Sequence, residues 1–562
     1  MESYLKERAA LIASERALRP EHARLQSASD LEVKAERIVR TIRAKEAQDI
    51  WHAEYPDFRA LYREAHAQLA EANAGPTGPQ SHIWGIEHPE ITNLFPGMAF
   101  LTARKIIENT DLYKVIRKMP KGGILHAHLD STVDVDFLLG LALKQSGMSI
   151  RVPEAVTSSN VATILPEFRQ MAPAYTTQHN NLTAVTYKTN EWVPYNQARN
   201  NFAAELGGPA GFDTWVRSTM KIDPNEAYKN FNSHRKMWDK LRNTFYVSNG
   251  LLRSLPLYVE YIKEYLRASV ADGISYVEPR VNFLYKHYYS AEGDPTVAHR
   301  EFVALFGKLI DEFKAELKAQ GREDDFIGAK IIYTTIKIIT TEEMEWFYDD
   351  CIALKQEFPH LIAGFDLVGP EDFVKPLKYY AEGLLRFRKR VDDLGLDLPF
   401  ILHAGETLGD GNDIDDNLYD ALLMGTKRIG HGFSLVKHPL LMDMCKKRGV
   451  PLEVCPISNE LLRLTSSMPA HPLPILLGHG IEVVISNDDP AAFGNLGLSY
   501  DFYQVLVASE VTGIIALGTM ARRSLEASTL EPKPKEAALA AWDRKWAAFL
   551  QWIDGEYSHL TK

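Results

Sequence analysis

Cysteine is scarce in this chain: 562 residues hold three, Cys351, Cys445 and Cys455. So few, none of them in C-x-x-C spacing, exclude a disulfide framework and fit a reducing compartment. No run of eighteen apolar residues occurs, so no segment reads as a membrane-spanning helix. The opening stretch MESYLKERAALIASER is charged throughout and lacks the continuous apolar core of a secretory leader, so the expected location is cytoplasmic. Positive charge is also short. The 63 Lys and Arg against 74 Asp and Glu leave a net charge of −11, which disfavours a grip on polyphosphate. Neither a nucleic acid nor a membrane partner is expected.

What is present is the composition of a compact soluble fold, with 45% hydrophobic and 24% charged residues. Residues 1 to about 72 carry Leu31, Val33, Ile38, Ile42 and Ile50 among charges, which predicts an amphipathic helical arm whose apolar stripe needs a cover. Gly75-Pro76 and Gly78-Pro79 then punctuate the chain. The expected organisation is a helical extension over residues 1–100 and one barrel domain over 101–562.

From residue 123 onward, short apolar runs rich in β-branched residues alternate with helical patterns, the signature of a parallel sheet wrapped by helices. Eight can be counted: 123–128, 274–283, 327–333, 361–368, 398–404, 427–433, 451–456 and 481–487. Eight strands with helices between them predict an α/β fold, a (β/α)8 barrel of the TIM type. The gap between the first two runs is too long for a helical crossover, so an insertion is expected after the first strand, at about 141–250. A helical tail closes the chain, and its Trp542, Trp546 and Trp552 read as packing anchors.

Chemistry gathers at the ends of these runs. In GGILHAHLD, His126 and His128 stand two residues apart, so on a strand both leave the same face and can reach one metal. An H-x-H pair alone is common by chance, but FILHAGE places His403 where another run ends, with the carboxylate of Glu406 three residues on. His431 ends the run KRIGH, and the last run leads into Asp488 and Asp489. All the C-terminal strand ends of such a barrel open onto one mouth, so these residues are expected to converge there. Three His and one Asp suit Zn²⁺, which activates a bound water near neutral pH. The bland alternative makes Asp488-Asp489 a cap for a following helix and the glycines near His403 and His431 simple turns.

Taken together, MPKGGILHAHLD, AGFDLVGPEDF, ILHAGET, RIGHGFSLVKHP, EVCPISNELL and ISNDDPAAFGNLGLSYDFY closely resemble the adenosine deaminase superfamily, and within it the adenosine deaminase growth factor branch. The resemblance implies one Zn²⁺ per chain held by His126, His128, His403 and Asp488. It implies Glu406 as the proton shuttle to purine N1, and His431 as the group that orients the attacking water. It further implies Asp489 at N7, the backbone of Gly369 at N3, and Asp130 and Trp238 as substrate contacts. Glu278 and Arg280 match the family as well and are expected to form an interior ion pair with each other. A homodimer built partly by the N-terminal helices is also implied, with a purine nucleoside as the small-molecule partner.

The sugar end departs from the branch. Leu129 separates His128 from Asp130, Thr334-Thr335-Ile336-Lys337 replaces an Asp-His-Arg element, and a Glu of the branch's insertion aligns with Gly211. Lys337 with Arg235 or Lys236 opens an alternative in which a 5′-nucleotide such as AMP is the substrate. Hydrolysis of a cyclic amide or phosphoester at two metals lacks its bridging Lys at the end of the 361–368 run. From another class comes a growth-factor-like binding protein that uses the barrel as a scaffold.

Overall fold

Each of the eight apolar runs forms a strand in the computed structural model, which describes residues 1–51 and 94–561. They are β1 (Gly122–Ile124), β2 (Ile274–Val277, resumed as Arg280–Asn282), β3 (Ile331–Ile336), β4 (Ile362–Val368), β5 (Leu402–Ala404), β6 (Ile429–His431), β7 (Leu452–Val454) and β8 (Val483–Ile485). Burial explains their apolar composition: every residue of β4 is buried, because helices cover the sheet outside and side chains fill it inside. Neighbours pair in parallel from Gly122↔Ile274 through Ile332↔Arg280 and Tyr333↔Phe365 to Val454↔Ile485. Single bridges complete the ring, Phe365↔Phe400 between the fourth and fifth strands and Ala127↔Asp488 between the eighth and the first. The barrel therefore closes at the very residues singled out for metal binding.

Helices return the chain between strands. Thr341–Glu357, for example, starts at a capping box in which Thr340 Oγ accepts from Glu343 N–H and Glu343 accepts from Thr340 N–H. Between β1 and β2 lies a three-stranded antiparallel sheet with Met148–Arg151 at its centre, followed by the helices Gly208–Met220 and His234–Leu252. The last of these crosses the barrel mouth, where Phe245 meets the His128 ring at 6.2 Å.

Before residue 52 the chain forms three α-helices, Glu2–Arg16, His22–Gln26 and Asp30–Glu46, the last running on into a π-helical turn over Ala47–Trp51, instead of one continuous arm. Pro20 lacks an N–H and falls in the first break, and Ser29 starts the third helix with a full capping box. Ile38 and Ile42 are buried, whereas Val33 is 46% exposed, because a residue two places from Leu31 points to the opposite side of a helix. The chain itself covers this stripe: Trp546, on the C-terminal helix Pro532–Tyr557, donates to Glu32 at 3.1 Å. The Arg43 guanidinium meanwhile caps the carbonyls of Ser509 and Thr512. Trp542 and Trp546 are packing anchors, stacked at 5.1 Å, and Trp552 is half-buried beside Phe549. The Gly-Pro boundary at 75–79 lies outside the described residues.

Glu46 ends that third helix in a pocket that penalises its charge. One oxygen accepts from Leu112 N–H at 2.9 Å, the other has no partner among the described residues, and burial pushes the carboxyl from 4.5 up to about 7. A carboxyl raised by folding takes up its proton more readily in the native state, so its cost appears as pH climbs from 4.5 to about 7. Glu46→Gln is expected to stabilise the fold by on the order of 3 kcal/mol at pH 8 and by nothing at pH 4. Equal unfolding free energies for variant and parent at pH 8 would remove the assignment.

Candidate active site

The mouth gathers side chains from the ends of β1, β5, β6 and β8. Ligand atoms of His126, His128, His403 and Asp488 all lie within 4.8 Å of one another. Asp488 Oδ1 is 3.4 Å from His126 Nε2 and 3.2 Å from His128 Nε2. Carboxylates behind the cluster set the imidazole tautomers: Glu453 accepts from His126 Nδ1–H at 2.9 Å, and Asp366 accepts from His403 Nδ1–H at 2.6 Å. Both rings thus turn an Nε2 lone pair inward, as metal ligands do. Among the described residues His126 Nε2 has no hydrogen-bond partner although it is fully buried, an orphaned acceptor that a cation would satisfy. Three imidazole nitrogens and one carboxylate oxygen fit a first-row divalent metal.

Local backbone makes this convergence feasible. Asp488 and His431 are non-glycine residues with φ of 59° and 64°. Such conformations cost about 1–3 kcal/mol each and persist where the surroundings over-determine them. Here the β8-to-β1 closure holds Asp488 by His128 N–H to its carbonyl at 3.0 Å, and Ser458 Oγ donates to its Oδ2 at 2.7 Å. At Gly430 a Cβ would stand 3.0 Å from the His126 ring and 3.2 Å from His403 Cα, so the I-G-H-G spelling leaves room for the His126 imidazole and the His403 backbone.

Glu406 leaves β5 two residues after its end, with its backbone N–H on Glu371 at 2.6 Å. Its Oε1 is buried and unpartnered, 3.4 Å from His431 Nε2. Burial, then the nearby Asp488 and Glu371 carboxylates, raise this carboxyl well above the ordinary range. Burial and the neighbouring His126 push His431 down to about 3, so its ring is neutral. Burial works to raise the Asp488 carboxyl, but the adjacent His126 and His128 rings hold it well below the ordinary carboxylate range. Asp489 caps the short helix Pro490–Phe493 in position only: its side chain makes no capping bond, and its Oδ1 is buried and free. The reading of this pair as mere helix caps therefore fails.

A cavity of about 390 Å³ opens from this cluster, within the range of small-molecule sites. Asp130, Trp238, Gly369, Glu406 and Asp489 all line it, with Leu241, Phe245, Leu284, Ile338 and Phe373 supplying a largely apolar wall. Trp238 gives its indole N–H to His234 at 3.2 Å, which fixes the ring against the cavity. Gly369 has φ of 128°, and a side chain there would meet Val374 at 3.1 Å, so its bare backbone faces the pocket. Lys337 is not among the lining residues. It is fully buried and pairs with Glu371 at 3.3 Å, while Arg235 lies over the Phe373 ring. Among the described residues Arg242 is the Lys or Arg side chain that reaches the cavity, and it pairs with Asp239.

One expectation is corrected. Glu278 and Arg280 do not pair with each other. Arg280 binds Asp366 and Glu453, each at 2.8 Å, and Glu278 binds Arg428 at 2.7 Å, with Arg428 closing back onto Glu453 at 2.6 Å. Pro279 interrupts β2 between them, and each finds its partner across the barrel interior. Sequence reasoning did not single out Asp366, Glu453, Ser458 or Glu371 as site residues. Their only signal was membership of the motifs AGFDLVGPEDF, EVCP and PISNELL.

Fold and site together define a metal-dependent hydrolase on a (β/α)8 barrel. The adenosine deaminase family profile matches residues 219–544. Adenosine deaminase 2-A of Danio rerio is 33% identical over 81% of this chain and 84% of its own. Human adenosine deaminase 2 is 29% identical over 81% and 83%. Among solved structures, adenine deaminase from Arthrobacter aurescens superposes with a TM-score of 0.51 at 18% identity, covering 76% of this chain and 99% of that one. The Arabidopsis protein ADAL, complexed with IMP, gives 0.51 at 17% identity over 77% and 99%. These two likenesses support the barrel fold. The chain belongs to the adenosine deaminase family.

Proposed function

We propose that the chain is a zinc-dependent deaminase that hydrolyses adenosine or a closely related adenine nucleoside to the inosine-type product and ammonia. The observation that carries this reading is the convergence of four ligand atoms within 4.8 Å, beside a buried, unpartnered carboxyl on the wall of the cavity. Zinc is favoured by the three-imidazole, one-carboxylate donor set, one ion per chain; when bound it supplies a Lewis acid that lowers the pKa of water. The residues around it have the remaining work. Glu406 protonates N1 of the ring, which makes C6 electrophilic, and receives the proton lost by the water. The C6–O bond forms, the remaining hydroxyl proton passes to the amine as the C6–N bond breaks, and ammonia leaves a C6 carbonyl behind. Asp489 takes N7, the Gly369 backbone takes N3, and Asp130 and Trp238 border the sugar.

The apolar wall and the ion-paired state of Lys337 and Arg242 favour a nucleoside over a 5′-phosphate. A panel of adenosine, deoxyadenosine, adenine and AMP, followed by the purine absorbance change on zinc-loaded protein, is expected to show kcat/KM for adenosine at least about tenfold above AMP. A preference for AMP would replace the nucleoside with a nucleotide. Deamination of no purine would leave the binding-protein reading. Chelation should abolish turnover and one equivalent of zinc restore it; a metal content near two per chain would sink the one-ion site.

Assembly as a homodimer and a cytoplasmic location complete the proposal. Exposed Tyr4, Leu5 and Leu11 on the Glu2–Arg16 helix support the first, and three buried, unpaired thiols support the second. A single-chain mass by sedimentation would remove the dimer, and secretion of the protein by its own cells would remove the location.

A further inference from the structure

Glu453 and Asp366 orient His126 and His403, but His431 is oriented by neutral groups. Its Nδ1 faces Asn459 Nδ2 at 3.4 Å, Asn459 Oδ1 faces His471 Nε2 at 3.0 Å, and His471 Nδ1 faces the backbone N–H of Leu473 at 3.0 Å. All three side chains are buried, so the chain of contacts is shielded from exchange with water.

Its direction follows from its far end. A backbone N–H can only donate, so His471 Nδ1 carries a lone pair and the neutral ring holds its proton on Nε2. That N–H needs an acceptor, which makes the facing atom of Asn459 its carbonyl oxygen. The other arm of the amide is then the NH2 group, and His431 Nδ1 must accept from it. The proton of neutral His431 therefore sits on Nε2. This is the nitrogen that lies 3.4 Å from Glu406 Oε1 and 4.0 Å from Asp488 Oδ2, with no hydrogen-bond partner of its own.

We propose that Asn459 and His471 are positioning residues that lock His431 in its Nε2–H tautomer, so that His431 donates a hydrogen bond to the attacking oxygen and does not take its proton. The proton lost by the water then goes to Glu406. The inference deepens the deaminase reading and rests on it for the identity of the oxygen, but the tautomer itself is a property of the resting protein.

Two measurements test it. In zinc-loaded protein labelled with 15N-histidine, long-range 1H–15N spectra identify His431 by the signals lost in His431→Ala. A pyrrole-type Nε2 and a pyridine-type Nδ1 are expected; the reverse pattern overturns the lock. No substrate is present, so this outcome is separate from failure of the deaminase reading. Asn459→Asp keeps the acceptor for His471 but turns the other arm into a second acceptor, which draws the His431 proton to Nδ1. It is expected to lower kcat by about 100-fold or more, with KM and zinc content unchanged and the 15N pattern reversed. His471→Gln, able to accept from Leu473 and donate to Asn459, should retain kcat within about tenfold, whereas His471→Leu should not. Parental kcat with an unreversed pattern in Asn459→Asp overturns the proposal. Should that variant fail to fold, the spectrum of the unaltered protein decides alone.

Discussion

Replacing Glu406 by glutamine is expected to lower kcat by about 100- to 10,000-fold while leaving bound zinc at the parental level. The substitution preserves volume and keeps an oxygen acceptor in the pocket, so the cavity and the four ligand side chains are untouched. The anchor at the Glu406 backbone, its N–H on Glu371, does not involve the replaced group. What is lost is a proton that can move: an amide cannot give one to the ring nitrogen or receive one from the water. Substrate affinity should change little, because the transferred proton matters most in the transition state. Single-turnover rates with metal analysis on the same sample are the measurement. A parental rate in the metal-replete variant removes Glu406 from the reaction and with it the proton path proposed for this mouth.

Arg280→Leu is expected to cost about 3–5 kcal/mol of folding stability and to weaken zinc binding by about 10- to 100-fold. The guanidinium bridges Asp366 and Glu453, the two carboxylates that orient His403 and His126, and it also donates to the Leu125 carbonyl at 3.0 Å. Every side chain in this group is fully buried. Removing the cation leaves Asp366 without its guanidinium partner, and Glu453 with Arg428 alone, in a low-dielectric interior. Their relief by protonation or movement loosens the tautomer that presents each Nε2 to the metal. Denaturant unfolding reports the first effect and competition with a zinc chelator the second. A variant within about 1 kcal/mol of the parent and with unchanged zinc affinity would show that the histidines are held by packing alone.

The same pair of carboxylates marks where sequence reading succeeds and where it stops. His126, His128, His403, His431 and Asp488 were legible because each stands at the end of a β-branched apolar run, and a parallel barrel brings all such ends to one mouth. The eight strands were legible for the same reason, since buried parallel strands announce themselves by composition. Glu406 and Asp489 were marked by their places three residues after His403 and beside Asp488, and their roles came from the family resemblance. The site's location and its donor set thus needed no coordinates.

Partnership was different. Glu278 and Arg280 are neighbours in sequence yet bind Arg428, Glu453 and Asp366, residues 86 to 173 positions away. Lys337, a free cation by sequence, is buried against Glu371, and Asn459 joins two histidines by contacts that no motif spells out. The stripe on Asp30–Glu46 is covered by the chain's own last helix. A local pattern tells which face of an element is apolar and which end of a strand points to the mouth, because those depend on a period of two or 3.6 residues. Which buried charges meet depends on barrel closure and on the register between strands far apart in sequence. That choice is made by desolvation, which leaves each buried ion only the counter-charge within reach, and it exists only once the ring has closed.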